Sequence, residues 1–185
     1  MNEVLTAIAQ RFSCRGYDGR PVEREKLDAL VKAGLQAPSA MNIQPWEIIV
    51  ITDKGLVDEL DAACMETLGQ AEDKTFYNAM MERVGKVYYN APCLFVILKQ
   101  PSARRADIDC GIVTQNICLA AHSLGLDNVI VGMGEIPFNG PRGDEFKRRI
   151  GWSDGMEFGM GVLVGYGNVK KDPHEINTAK ARFVE

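Results

Sequence analysis

Two histidines, His122 and His174, are all this 185-residue chain has. A hydrolase or a metal centre built on imidazole would have to draw on those two. No H-E-x-x-H or G-x-S-x-G surrounds either of them. His122 falls in an apolar helical stretch and His174 in a weakly patterned tail, settings that suit structural or solvated roles. Ordered cysteine pairs are missing too. Cys14, Cys64, Cys93, Cys110 and Cys118 are odd in number, and no two stand in C-x-x-C spacing. That argues against structural zinc, an iron–sulfur cluster or a disulfide framework, so no metal is expected. It reads instead as reduced, buried thiols in a cytoplasmic protein. No apolar run approaches the roughly 20 residues of a membrane span. The first fifteen residues carry Glu3, Gln10, Arg11 and Arg15 and do not read as a secretory signal. Positive charge is short as well: 21 Lys and Arg against 25 Asp and Glu give −4, which argues against nucleic acid. Gly132-x-Gly134 and Gly159-x-Gly161 have Pro137 and Val164 where a dinucleotide fingerprint needs its third glycine, and there is no phosphate-binding P-loop.

What remains is ordinary globular composition, 46% hydrophobic and 25% charged. There is no repeat, low-complexity segment or obvious linker, so residues 1–185 read as one domain. Its length suffices to bury roughly 70% of the unfolded surface without metal or disulfides. The spacing predicts helices at about 2–12 and 23–36, the second with Leu27, Leu30, Val31, Gly34 and Leu35 on one side. Strands are expected at 46–51, 93–98, 129–133 and around 162–164. Further helices are expected at 56–68, 76–88, 107–124 and 142–150. Helices and strands mix without strict alternation, which favours an α+β fold.

Three segments carry chemistry. Arg11-Phe-Ser-Cys-Arg15 closes the first helix, where two guanidinium groups four residues apart can converge on an anion, with Ser13 between them. Alone, they also read as solvated arginines at a helix end. Ala37-Pro-Ser-Ala-Met-Asn-Ile-Gln-Pro-Trp46 is a proline-bracketed loop whose Ser39, Asn42 and Gln44 offer neutral hydrogen-bonding groups. That set suits a flat polar heterocycle better than a phosphate, and it equally suits a capped turn. Lys180-Ala-Arg182 puts two cations on one side of an extended tail, or else is a frayed basic end.

Taken together, the segments resemble the nitroreductase family of FMN-dependent oxidoreductases over nearly the whole chain. The matching features are R-x-S-x-R at Arg11, Ser13 and Arg15, and the complete A-P-S-x-x-N-x-Q-P-W from Ala37 to Trp46. The stretch Ala120-Ala-His-Ser-Leu-Gly-Leu126 followed by Val129–Met133 is similar to the family's central helix and next strand. Phe158–Gly167 resembles its late strand, and Lys180-x-Arg182 a phosphate-binding pair.

The resemblance implies a three-layer α/β/α fold with a mixed, mostly antiparallel sheet, and an intertwined homodimer with FMN at the interface. Arg11, Phe12 (by its backbone), Ser13 and Arg15 would come from one subunit, with Lys180 and Arg182 near the phosphate. Pro38, Ser39, Ala40, Met41 and Asn42 would come from the partner. Val131, Gly132 and Met133 would pass the centre of the ring. Arg15 is the candidate cation at the ring edge where reduction leaves negative charge. No side-chain acid or base is required, because the flavin carries the chemistry. NADH or NADPH would be the donor, in a ping-pong cycle, and a nitroaromatic, quinone or similar small molecule the acceptor. A flavin-binding sensor or carrier, a reductive dehalogenase and a flavin-cleaving enzyme remain alternatives. Asp109 reads first as a helix-start acid, with a contact to the partner's flavin as the other possibility.

Overall fold

A computed structural model describes residues 2–172 and 175–185, so His174 lies outside the described residues. The chain runs α1 (Glu3–Gln10), α2 (Arg24–Leu35), β1 (Trp46–Ile51), α3 (Lys54–Gln70), α4 (Thr75–Arg83), β2 (Cys93–Lys99) and α5 (Ala106–Ser123). It continues with β3 (Asp127–Ile130), α6 (Ile136–Asn139), α7 (Gly143–Ile150) and β4 (Glu157–Gly165). Short 3-10 turns lie at Ala40–Asn42, Gly132–Glu135 and Thr178–Lys180.

The four strands form one sheet in the order β1-β2-β4-β3, every neighbouring pair antiparallel. The single parallel pairing among the described residues is an isolated bridge between Ser13 and Asn128. β2 is central and buried on both faces, which is why its sequence is a continuous apolar run. Leu94, Val96 and Leu98 join Leu60, Cys64, Tyr88, Phe138 and Phe146 in one core. Cys93, Phe95 and Ile97 join Leu27, Leu30, Val113 and Ile117 in the other. The sheet is therefore covered on both faces, by α3, α6 and α7 on one and by α2 and α5 on the other. Gly159 occupies the irregularity between β2 and β4, where a Cβ would come within 3.0 Å of the Ile97 carbonyl.

Four boundaries differ from the sequence-based expectation. The first helix stops at Gln10 rather than Phe12, because Cys14 N–H donates to the Asn128 carbonyl at 2.9 Å and pulls residues 11–14 into extended backbone. α4 stops at Arg83 rather than Tyr88. Gly85 takes φ +66° and caps the Met80 carbonyl, and the buried Asp61 draws in the Val87 and Tyr88 amides at 2.8 and 2.9 Å. The third strand ends at Ile130. Val131 makes one further bond to the Gly161 carbonyl, and the chain then turns, which leaves Gly132 and Met133 off the strand. β4 extends well beyond residues 162–164, its first half masked in the sequence by Gly159 and Gly161.

Candidate functional site

Arg11, Ser13 and Arg15 do not sit on a helix. They lie on extended backbone, where alternate side chains share a face. Cys14 is fully buried and Phe12 packs on the same core, so Arg11, Ser13 and Arg15 face the other way. The convergence expected from helical spacing is thus replaced by a cationic strip along a sheet edge. Phe12 also lines a cleft of about 1030 Å³ with His122, Asp127 and Lys170.

Arg11 is the unusual member. Its Nη1 is buried and has no acceptor among the described residues. A buried guanidinium N–H left unpaired is costly and is normally found with an anion. Beside it, Asn128 is buried, its Nδ2 donating to the Cys118 carbonyl at 2.9 Å while its Oδ1 is unpartnered. Burial pushes the Cys118 thiol up to about 12, with Arg11 pulling it back slightly.

The Ser13–Asn128 bridge places this strip against β3, whose end runs straight into the Gly132–Glu135 turn. Among the described residues, the Gly132 and Met133 amides donate to no acceptor. The turn is held from behind. Tyr88 Oη donates to the Gly134 carbonyl over a long 3.4 Å, and Cys64 Sγ lies 3.6 Å from the Met133 carbonyl. Val131 is buried, Met133 half-buried and Gly132 exposed. The Arg11–Arg15 strip and the Val131–Met133 segment therefore adjoin.

The Pro38–Asn42 loop does not join them within one chain. Pro38, Ala40, Met41 and Asn42 are exposed and Ser39 half-buried, in the loop that enters β1. β1 and β3 are opposite edges of the sheet, three strand spacings or about 14 Å apart. The loop is tightly built all the same. Met41, Asn42 and Gln44 take φ of 54°, 55° and 51°, a left-handed region that few non-glycine residues adopt. Ser39 Oγ accepts from Gln44 N–H at 2.8 Å and Asn42 Oδ1 from Gln44 Nε2 at 3.0 Å. Both side chains keep a donor free. Lys180 and Arg182 are exposed in the tail and make no ion pair among the described residues.

Asp109 lies in the first turn of α5, as expected of a helix-start acid. It is only 4% exposed, and its Oδ1 accepts from the Ala40 amide at 3.3 Å. The signal available in the sequence was an acid followed at once by the apolar run that α5 buries.

The five cysteines are all free and buried. No helix among the described residues is long and apolar enough to cross a membrane.

Comparison with known proteins matches residues 8–166 to the nitroreductase family model. A crystal structure of a nitroreductase with bound FMN from Desulfitobacterium hafniense shares 42% identity and a TM-score of 0.96, each chain covered in full. A relative from Archaeoglobus fulgidus, whose name joins NADH dehydrogenase with NAD(P)H nitroreductase, is 29% identical over 95% of this chain and 91% of its own. An iodotyrosine deiodinase from Thermotoga neapolitana is 23% identical over 99% of this chain and 98% of its own. The chain belongs to the nitroreductase family.

Proposed function

We propose that this protein is an FMN-dependent oxidoreductase that oxidises NADH or NADPH and reduces nitroaromatics, quinones or similar small acceptors, working as a homodimer. The observation that carries the cofactor reading is the buried, unpaired Arg11 Nη1 on the same face as Ser13 and Arg15. An anion is what that donor set fits, and the phosphate of FMN is one. The free amides of Gly132 and Met133, next along the chain from the Ser13–Asn128 bridge, suit the polar edge of a flat ring. The FMN-bound relative from Desulfitobacterium supports the same assignment.

When bound, FMN supplies the hydride-accepting and hydride-donating chemistry. Arg11 would neutralise the phosphate, with Lys180 and Arg182 brought in by the tail. Arg15 would stand as a fixed cation at the ring edge, Ser13 would add a hydroxyl, and the backbone at Phe12 would complete that side. In the Val131–Met133 segment, Gly132 and Met133 would donate their free amides to the centre of the ring, with the Val131 amide held by the Gly161 carbonyl. Pro38, Ser39, Ala40, Met41 and Asn42 would close the other side. None of the five thiols is poised as a nucleophile, since burial raises every one of them above its ordinary value.

The homodimer rests on three features of the fold. The 38–42 loop and the Arg11 strip sit at opposite sheet edges, so one chain does not close a site around both. Val4, Leu5 and Ile8 on α1 are 64%, 52% and 51% exposed, an apolar stripe turned to solvent. Ile176, Phe183 and Val184 in the tail are 82%, 94% and 92% exposed. A second copy covers both sets and supplies the missing loop.

The reading is tested by loading the purified chain with FMN and adding NADH or NADPH without oxygen. The flavin colour should bleach with one donor or both and return when a quinone or nitroaromatic is added. A chain that takes up no FMN, or whose FMN neither nucleotide bleaches, overturns it. Return of colour with a halogenated phenol alone would favour reductive dehalogenation, in line with the deiodinase relative.

A further inference from the structure

We propose that Asp109 is a positioning residue: its buried carboxylate holds the strained 39–44 loop in the shape that presents Ser39 and Asn42. The functional part of this inference rests on the FMN reading above.

Two acids in the first turn of α5 are used differently. Asp107 is exposed and pairs with Lys99 at 2.7 Å. Asp109, two residues on, is only 4% exposed and forms no ion pair among the described residues. Burying a carboxylate without a counter-ion is unfavourable unless hydrogen bonds and local dipoles compensate. Here the positive end of α5 lies beside it, and the Ala40 N–H donates to Oδ1 at 3.3 Å.

The loop needs such a tether. Three of its residues, Met41, Asn42 and Gln44, are in left-handed backbone without being glycine. Each such residue is strained and persists only where its surroundings hold it. The bonds within the loop are Gln44 N–H to Ser39 Oγ, Gln44 Nε2 to Asn42 Oδ1, Asn42 N–H to the Ser39 carbonyl and Ile43 N–H to the Ala40 carbonyl. They shape it and fasten it to nothing else. Its exit is fixed where Gln100 N–H donates to the Pro45 carbonyl at 2.9 Å. Apart from the Trp46 N–H to Gln44 carbonyl bond at 2.9 Å, which joins the end of the loop to the start of β1, the Asp109–Ala40 bond is the one hydrogen bond from residues 39–44 to the rest of the fold among the described residues. Removing it frees the loop to relax, and an FMN held by Ser39 and Asn42 would then have to order it again on binding.

The test measures residue-level amide exchange in the apoprotein and FMN affinity by equilibrium titration, for the wild type, Asp109→Ala and Asp109→Asn. Asp109→Ala should speed exchange at Ala40, Asn42 and Ile43 about tenfold or more and weaken FMN binding by about tenfold. Asp109→Asn keeps an acceptor oxygen and should stay within about threefold of wild type in both. Ala40→Pro removes the donor and keeps Asp109. Ser39 at φ −137° and ψ 159° already has the extended backbone that precedes proline, so this variant serves if Asp109→Ala fails to fold. It should reproduce the faster exchange at Asn42 and Ile43 and the FMN loss. Unchanged exchange or unchanged FMN affinity in folded Asp109→Ala or Ala40→Pro overturns the proposal. So does an Asp109→Asn variant as impaired as Asp109→Ala, since charge rather than the hydrogen bond would then be responsible. If the wild type binds no FMN, the cofactor reading fails, and the exchange measurement still decides whether Asp109 holds the loop.

Discussion

Ser13 pairs with Asn128 in the one parallel bridge of the described structure, and Cys14 N–H donates to the Asn128 carbonyl at 2.9 Å. This contact turns a helix end into a sheet edge. It sets Arg11, Ser13 and Arg15 on the face away from Phe12 and Cys14, and it lays that face beside the segment that becomes the Gly132 turn.

Arg11 therefore makes opposite contributions with and without an anion. In the apoprotein its buried Nη1 is unpaired, a loss of about 1–3 kcal/mol. Arg11→Ala should leave the urea midpoint of the apoprotein unchanged or raised. The same change should weaken FMN binding by about 10- to 100-fold, the range of a hydrogen bond to a charged group. Paired unfolding and FMN titrations check both directions. A destabilised apoprotein with unaltered FMN affinity would make Arg11 a structural residue.

Two glycines should separate stability from function. A Cβ on Gly143 would lie 2.2 Å from the Phe138 carbonyl oxygen, backbone that has no room to yield. Gly143→Ala should cost about 2 kcal/mol or more, by distorting the junction of α6 and α7. At Gly132 nothing lies within 4 Å of the Cβ position and φ is not positive. Gly132→Ala should keep wild-type stability, because the added methyl meets no neighbour. Denaturant titration of the two variants side by side is the measurement.

Thiol chemistry gives a third check. Burial pushes Cys64, Cys93 and Cys118 up to about 12 and Cys110 to about 11, and it raises Cys14 as well. At pH 8 the native protein should react with an aromatic disulfide reagent far more slowly than free cysteine does. All five thiols should be released in guanidinium. Prompt labelling of any one of them in the native state would show that the core opens there.

Acid should weaken the contact between α3 and α7. Arg149 holds Glu59 through two bonds of 2.7 and 3.0 Å, Arg142 adds one of 3.0 Å, and together they pull the Glu59 carboxyl down to about 2. A carboxyl lowered on folding stabilises the fold above its ordinary value near 4.5, and loses that contribution as pH falls toward 2. Glu59→Gln should flatten the stability profile over that window and be near neutral in high salt, since the group is exposed. Unfolding curves stepped from pH 5.5 to 2.5 test it. An unchanged acid slope contradicts the assignment.

How much of this was legible in the sequence follows from how each feature is encoded. β2 announces itself because it is buried on both faces and so is apolar throughout, and α5 by its length and its largely apolar run, although Gly111, Gln115 and Ser123 are exposed. The Ala37–Trp46 loop stands out by residue type alone. The turn of Arg11–Cys14 from helix to extended backbone was hidden, because it depends on a bond to Asn128, more than a hundred positions away. Asp109 is the helix-start acid expected, in the first turn of α5; its bond to Ala40 was hidden for the same reason, since the two residues are far apart in sequence. The separation of the 38–42 loop from the Arg11 strip comes from strand order, which no local pattern records. The weak pattern of the tail marks a segment without a core in its own chain, and its exposed Phe183 and Val184 agree with that.

The central claim is that one FMN is held jointly by the Arg11 strip of one chain and the Ser39–Asn42 loop of another. It is tested most directly by mixing subunits that carry Arg11→Ala with subunits that carry Ser39→Ala and Asn42→Ala, and counting tightly bound FMN. Neither variant alone should bind FMN with wild-type affinity. The mixed dimer rebuilds one intact site and should bind one FMN per dimer at close to wild-type affinity. A mixed population that binds no better than its two parents would contradict the shared site.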